Sequence, residues 1–185
     1  MADREIDAGI IEACRRGDRD AFRALYESYR DKVYSISLYF FHGNEADAAD
    51  VTQEVFVKLY AGMESFRGDA LFSTWLYRLV RNSCLDGSRG KAARARNLQP
   101  EARIARVSAA NQEEDLMRGE AARAVQRAVS QLPPKFRLPI LLRHFEELSY
   151  EEMAATLNCS MGTVASRLSR GHRMLCKLLT PGGRP

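Results

Sequence analysis

Thr163, Ser166, Arg167, Ser169, Arg170, Arg173 and Lys177 are hydroxyls and cations whose spacing, at 100° per residue, sets them on one side of a helix. No acid interrupts them. Guanidinium forks and hydroxyls on one helical face are the chemistry that reads base edges and grips phosphates in a major groove. A solvated basic face on an ordinary packing helix has the same stripe, so the neighbouring segments decide. The inner side of the same segment is narrow and apolar: Val164, Leu168, Gly171, Leu175 and Leu178. Just upstream, Ser149-Tyr150-Glu151-Glu152 is a capping box, S-x-x-E, which opens a short helix from Tyr150 to Asn158 with Met153, Ala154 and Leu157 on one face. Cys159 to Gly162 is read as the turn, and Thr163 to Leu179 as the second helix. A short capped helix, a tight turn and an acid-free second helix together make a helix-turn-helix.

A second set differs in sign. Asp50, Gln53 and Glu54 stand at i, i+3 and i+4 and so share a helix face, beside an apolar stripe of Ala48, Val51, Val55 and Leu59. On its own, that face is a solvated acidic patch or a contact for a basic protein surface. Catalytic chemistry finds no support. His42, His144 and His172 are scattered without a partnered nucleophile, there is no Gly-rich phosphate loop, and no carboxylates are arranged for a metal. Cys14, Cys84, Cys159 and Cys176 are far apart with no C-x-x-C pair, and read as buried or half-buried thiols. The expectation is no catalytic residue, no metal and no cofactor.

The elements that must carry these faces are helices. Phe22, Leu25, Tyr26, Tyr29, Val33 and Ile36 recur at three- and four-residue steps. Gly43-Asn44 ends that helix with residues tolerant of positive φ. The next helix starts near Glu45, with Glu45 and Asp47 suited to the positive end of its dipole. Phe66 to Asp69 reads as a loop, and Ser73 as the cap of a third strong helix containing Trp75, Leu76, Leu79 and Val80. Large apolar residues then thin out over residues 88–112, where a helix could form only in the Ala/Arg-rich part. Helices resume near Glu113, with Ala121, Val125, Ala128, Val129 and Leu132 on one face. Pro133-Pro134 ends that helix and starts the next, in which Pro139 predicts a kink or a late start. The fold expected is all-α: two small helical domains, 1–90 and 113–185, joined by a flexible linker, 91–112, with the helix-turn-helix in the second.

Charge follows the same division. Residues 1–87 carry 11 Lys and Arg against 15 Asp and Glu, whereas residues 119–185 carry 10 against 5. A basic back gains from counterion release on phosphate, and an acidic front is suited to protein. No apolar run approaches the ~18 residues needed to span a bilayer. The charged N-terminal stretch lacks a secretory apolar region, so membrane insertion is not expected and the cytoplasm is.

The stretches DAADVTQEVFVKLY and FRGDALFSTWLYRLVRNSCLD, followed by LPPKFRLPILLRHFEELSYEEMAATLNCSMGTVASRLSRGHRML, resemble in order the two domains of an extracytoplasmic-function (group IV) sigma factor of bacterial RNA polymerase. Pro139 and the Gly171-His172 pair depart from the family's helix-favouring pattern. The resemblance implies a protein that binds core RNA polymerase, directs it to specific promoters and helps melt the DNA. By resemblance, Asp50, Gln53 and Glu54 bind the basic coiled coil of the polymerase clamp. The loop Phe66 to Phe72 is similar to the family's base-capturing loop. Trp75, Arg78, Arg81 and Asn82 on the helix after it are the candidates for the minus-ten promoter element, where unpaired bases stack on aromatics beside positive charge. Thr163, Ser166, Arg167, Ser169, Arg170 and Arg173 become the minus-thirty-five recognition helix. The resemblance further implies that the second domain contacts the polymerase flap and, since many relatives are held inactive by one, that an anti-sigma factor is a candidate further partner. Two other classes fit less well. A stand-alone helix-turn-helix regulator needs a dimerisation element, which is not evident, and a helical nuclease needs the catalytic groups found missing above.

Overall fold

The computed structural model describes residues 6–97 and 116–180. Eight α-helices make up nearly all of it, and there is no strand among the described residues. The first region contains α1 (Ala8–Arg15), α2 (Arg19–Phe40), α3 (Glu45–Gly62) and α4 (Phe72–Asn97), with one 3-10 turn at Met63–Ser65. The second contains α5 (Leu116–Gln131), α6 (Pro134–Phe145), α7 (Tyr150–Leu157) and α8 (Met161–Leu179). The chain is thus all-α, two helical regions joined by a linker, with α7 and α8 as the helix-turn-helix pair. α4 runs to Asn97, so the Ala/Arg-rich part of the stretch assigned to the linker carries the end of that helix. Residues 98–115, with the start expected near Glu113, lie outside the described residues.

Helical periodicity built the cores. Leu25, Tyr29, Val33 and Ile36 of α2 and Ala48, Val51, Val55 and Leu59 of α3 are all buried with Leu76, Tyr77, Val80 and Cys84 of α4, and the same buried cluster continues into the second region through Leu132, Leu141 and Leu157. Caps mark the entries. Asp18 accepts from the amides of Asp20 and Ala21, and Asn44 accepts from Asp47. Gly43 takes φ +79°. Asn44 stays in the extended region as a cap, and His42 is the second residue with positive φ. α4 begins one residue before the expected cap. Leu71 accepts the first helical bond, from Trp75, and Ser73 is buried inside the first turn.

In the second region Ala128, Val129 and Leu132 are buried as the stripe requires, whereas Val125, one turn earlier, is 42% exposed. Pro133 precedes α6 and Pro134 opens it. The late start suggested by Pro139 does not occur: α6 is continuous from Pro134, with Pro139 buried inside it. Both capping-box bonds of α7 are made, Ser149 with the Glu152 amide and Glu152 with the Ser149 amide. Asn158 ends α7 in the left-handed region, and Ser160 already caps α8. Met161 and Gly162 therefore belong to the helix, and the turn is shorter than its reading from sequence. Gly171 explains itself by packing. A Cβ there would lie 3.1 Å from Cγ1 of Ile140, so glycine lets α8 approach α6 closely.

The two regions touch. α2 packs against α5 and α6, and α4 against α7. Arg137 of α6 is 5% exposed and its guanidinium is spent on main-chain carbonyls. It donates to Val129, Ser130 and Leu132 around the end of α5, and to Phe40 at the end of α2. Burial pulls its pKa down to about 10, which still leaves it charged at neutral pH.

Candidate functional site

The candidate recognition face lies on α8. Val164, Leu168 and Gly171 are buried, which leaves Ser166, Ser169, Arg170 and Arg173 exposed and Thr163 and Arg167 half-buried. Ser160 and Thr163 are joined through their hydroxyls at 3.0 Å, and the Thr163 amide donates to Ser160 at 3.2 Å, so the first turn is held rigidly. Arg167 donates to Cys159 Sγ at 3.8 Å, which steadies its stem against the turn. Of the six candidates, Thr163, Ser166, Arg167 and Arg170 line one cleft, and Ser169 and Arg173 lie outside it. The cleft has a volume of about 440 Å³, and α6 supplies its other wall through Lys135 and Phe136. Nothing in the periodicity of one helix could announce residues from another, so sequence reasoning missed that wall.

On α3 the three candidates separate. Asp50 and Gln53 are exposed, but Glu54 is half-buried and turned towards α4. It pairs with Lys58 and accepts from the Ser83 hydroxyl at 3.2 Å. Asp50 and Gln53 therefore form the open acidic and polar edge, with Glu54 braced behind it. Gln53 also lines an apolar groove between α2 and α3 with Phe22, Tyr26, Phe56 and Tyr60.

On α4 the candidates also have different surroundings. Trp75 is half-buried and stacks on Phe66 with centroids 4.9 Å apart and 22° between planes. Its ring edge lies 3.0 Å from where a Cβ on Gly62 would be, so the indole packs on the end of α3. The loop at Phe66 thus rests on the helix that the sequence paired with it. Arg81 donates to Asn82 at 3.1 Å. Arg78 is exposed, and its Nε donates to the carbonyl of Ala155 on α7 at 2.9 Å. Beside it, buried Tyr77 donates to the Glu146 carboxylate, with Lys32 at 3.9 Å.

Among the described residues no three His, Cys, Asp or Glu side chains gather to hold a metal ion. His144 and His172 do meet, Nε2 to Nε2 at 3.1 Å. Their ring centroids are 5.4 Å apart with the planes 80° to each other. Burial of its ring, and then the neighbouring His144, lower the pKa of His172. Cys84 is buried, which pushes its thiol up to about 12 and makes it inert. No described helix is long and apolar enough to cross a membrane.

Comparison with known proteins agrees with both regions. Residues 25–94 match the family model for sigma-70 region 2, and residues 122–175 match that for sigma-70 region 4. The chain is 33% identical to the RNA polymerase sigma-H factor of Pseudomonas aeruginosa, covering 98% of this chain and 97% of that one. It is 34% identical to the ECF RNA polymerase sigma-E factor of Escherichia coli, covering 98% of each. Among solved structures it is similar to CnrH in complex with the cytosolic domain of CnrY, with TM-score 0.70, 25% identity and coverage of 92% of this chain and 94% of that one. The fold is also that of the sigma factor RpoE of Bartonella quintana, seen with the anti-sigma factor NepR, with TM-score 0.68, 24% identity and coverage of 85% and 96%. Two family regions in order, and relatives aligned along nearly the whole length, establish that this chain belongs to the extracytoplasmic-function (group IV) sigma factors of bacterial RNA polymerase.

Proposed function

We propose a division of labour in which the acidic front holds polymerase and melted DNA while the basic back reads duplex. As a sigma factor the chain binds core RNA polymerase and directs it to promoters. Asp50, Gln53 and Glu54 make the clamp contact, with Glu54 also braced against α4 through Ser83. The loop after Met63–Ser65 and the α4 residues Trp75, Arg78, Arg81 and Asn82 capture the minus-ten strand. Thr163, Ser166, Arg167, Ser169, Arg170 and Arg173 read the minus-thirty-five duplex, and the second region meets the flap. An anti-sigma factor is a further partner, a reading supported by the likeness to CnrH in complex with the cytosolic domain of CnrY.

The observation that carries this reading is the outward face of α8, where Ser166, Ser169, Arg170 and Arg173 are exposed on a helix fixed by buried Val164, Leu168 and Gly171. Run-off transcription with core polymerase and a library of promoter fragments tests it. The expected result is defined start sites that share upstream elements and depend on the added chain. Start sites unchanged from core polymerase alone would refute it.

A further inference from the structure

The cleft beside the recognition helix is walled on one side by α8, through Ser160, Thr163, Arg167 and Arg170, and on the other by the first turn of α6, through Lys135 and Phe136. No acid lines it. α6 has two cations in this turn, with opposite fates. Arg137 points inward and is consumed by main-chain carbonyls. Lys135 points outward, is exposed, and has no acidic partner among the described residues. Its ammonium lies 5.0 Å from the centroid of the Phe136 ring, which supports the stem without neutralising the charge. Three cations from two helices thus converge on one open cleft at the start of the recognition helix.

We propose that Lys135, outside the helix-turn-helix itself, is a contact to the phosphodiester backbone of promoter duplex. A DNA strand edge entering the cleft would meet Lys135 on one wall, while Arg167 and Arg170 on the other reach across it. Lysine acts on phosphate as a point charge without base preference. Its role is therefore to set the register of α8 in the groove, leaving discrimination to the arginines. The inference rests on α8 being the duplex reader.

The test uses holoenzyme made with the full-length chain and promoter fragments that carry matched or mismatched minus-thirty-five elements, titrated at two or more salt concentrations. One phosphate contact contributes a slope of about 0.9 in log affinity against log salt, equivalent to roughly fivefold in affinity near ~0.15 M salt. Lys135→Ala is expected to lose about that factor equally on matched and mismatched DNA, with a salt slope lower by about one. Lys135→Arg should restore both. Because the residue is exposed, neither variant disturbs the core. Wild-type affinity and slope in Lys135→Ala, with Arg170→Ala still weakened, would overturn the inference and leave α8 as the reader. A loss confined to the matched element would overturn it by making Lys135 a base reader. If wild-type holoenzyme does not distinguish matched from mismatched elements, the reading of α8 falls and the inference with it.

Discussion

Arg78 on α4 donates its Nε–H to the backbone carbonyl of Ala155 on α7, 2.9 Å away and 77 residues along the chain. A guanidinium assigned to the minus-ten strand is thus engaged by the helix-turn-helix region. The same seam holds Tyr77 against the buried Glu146 carboxylate, and Arg137 against the Phe40 carbonyl. In this arrangement the two regions are joined through Arg78, so the proposed minus-ten role of its guanidinium competes with this bond to α7.

Tyr77→Phe should weaken that seam. It removes one hydrogen bond to a buried carboxylate and leaves Glu146 less well compensated, a cost of about 1–3 kcal/mol. Urea melting should show the loss. Small-angle scattering of the free chain should show a larger radius of gyration than wild type. An unchanged radius with full stability would mean that the bond contributes nothing to holding the regions together.

Acid should act on the same seam through His42. Its Nε2 lies 3.1 Å from the Arg137 guanidinium, which can only donate, so the imidazole must accept and be neutral. Partial burial, and then the charges of Arg137 and Lys91, lower its pKa below 6.5. A group with a depressed folded pKa contributes stability that is complete above its unfolded value and is lost as pH falls through the folded one. Tm should therefore fall between pH 7.5 and 5 more steeply in wild type than in His42→Asn. Asparagine keeps an acceptor and tolerates the positive φ of this position. Parallel pH profiles for the two proteins would contradict this account.

On the α3 edge Asp50 is exposed, whereas Glu54 is half-buried and bonded to Lys58 and Ser83, so the two substitutions should differ. Asp50→Lys changes an exposed side chain and should reduce co-purification with core polymerase while leaving unfolding stability within about 0.5 kcal/mol of wild type. Glu54→Lys also sets like charges against Lys58 and removes the acceptor of Ser83. It should lower Tm as well as binding. Equal binding by wild type and a folded Asp50→Lys protein would remove Asp50 from the interface.

Local pattern made much of this legible. Ala48, Val51, Val55 and Leu59 are named by periodicity and all four are buried, and the capping box at Ser149 and Glu152 forms both its bonds. These features depend on residues three or four apart, which a sequence displays directly. Arg137, Tyr77 and Glu146 were not legible, because their burial is decided by partners 69 to 97 residues away. Val125 fits the stripe of α5 yet is exposed, since periodicity gives a face but not how far the neighbouring helix covers it. Glu54 likewise shares the helical spacing of Asp50 and Gln53, but α4 draws it aside through Ser83. At the candidate site, the cations of α8 could be named from their own helix, whereas Lys135 enters only when α6 is folded against it.

The claim that α8 reads sequence is tested most directly by titrating wild type, Arg167→Ala and Arg173→Ala holoenzymes against single-base variants of the minus-thirty-five element at two salt concentrations. Arg167 stands near the start of the helix, over the cleft, where side chains of a helix-turn-helix reach bases. Arg173, almost two turns on and exposed, is placed to meet backbone. Arg167→Ala should relax preference at one position by roughly 1–3 kcal/mol, the worth of a bidentate contact to guanine. Arg173→Ala should weaken all sequences alike and lower the salt slope by about one. Indistinguishable effects of the two substitutions, with sequence preference intact in both, would contradict the account.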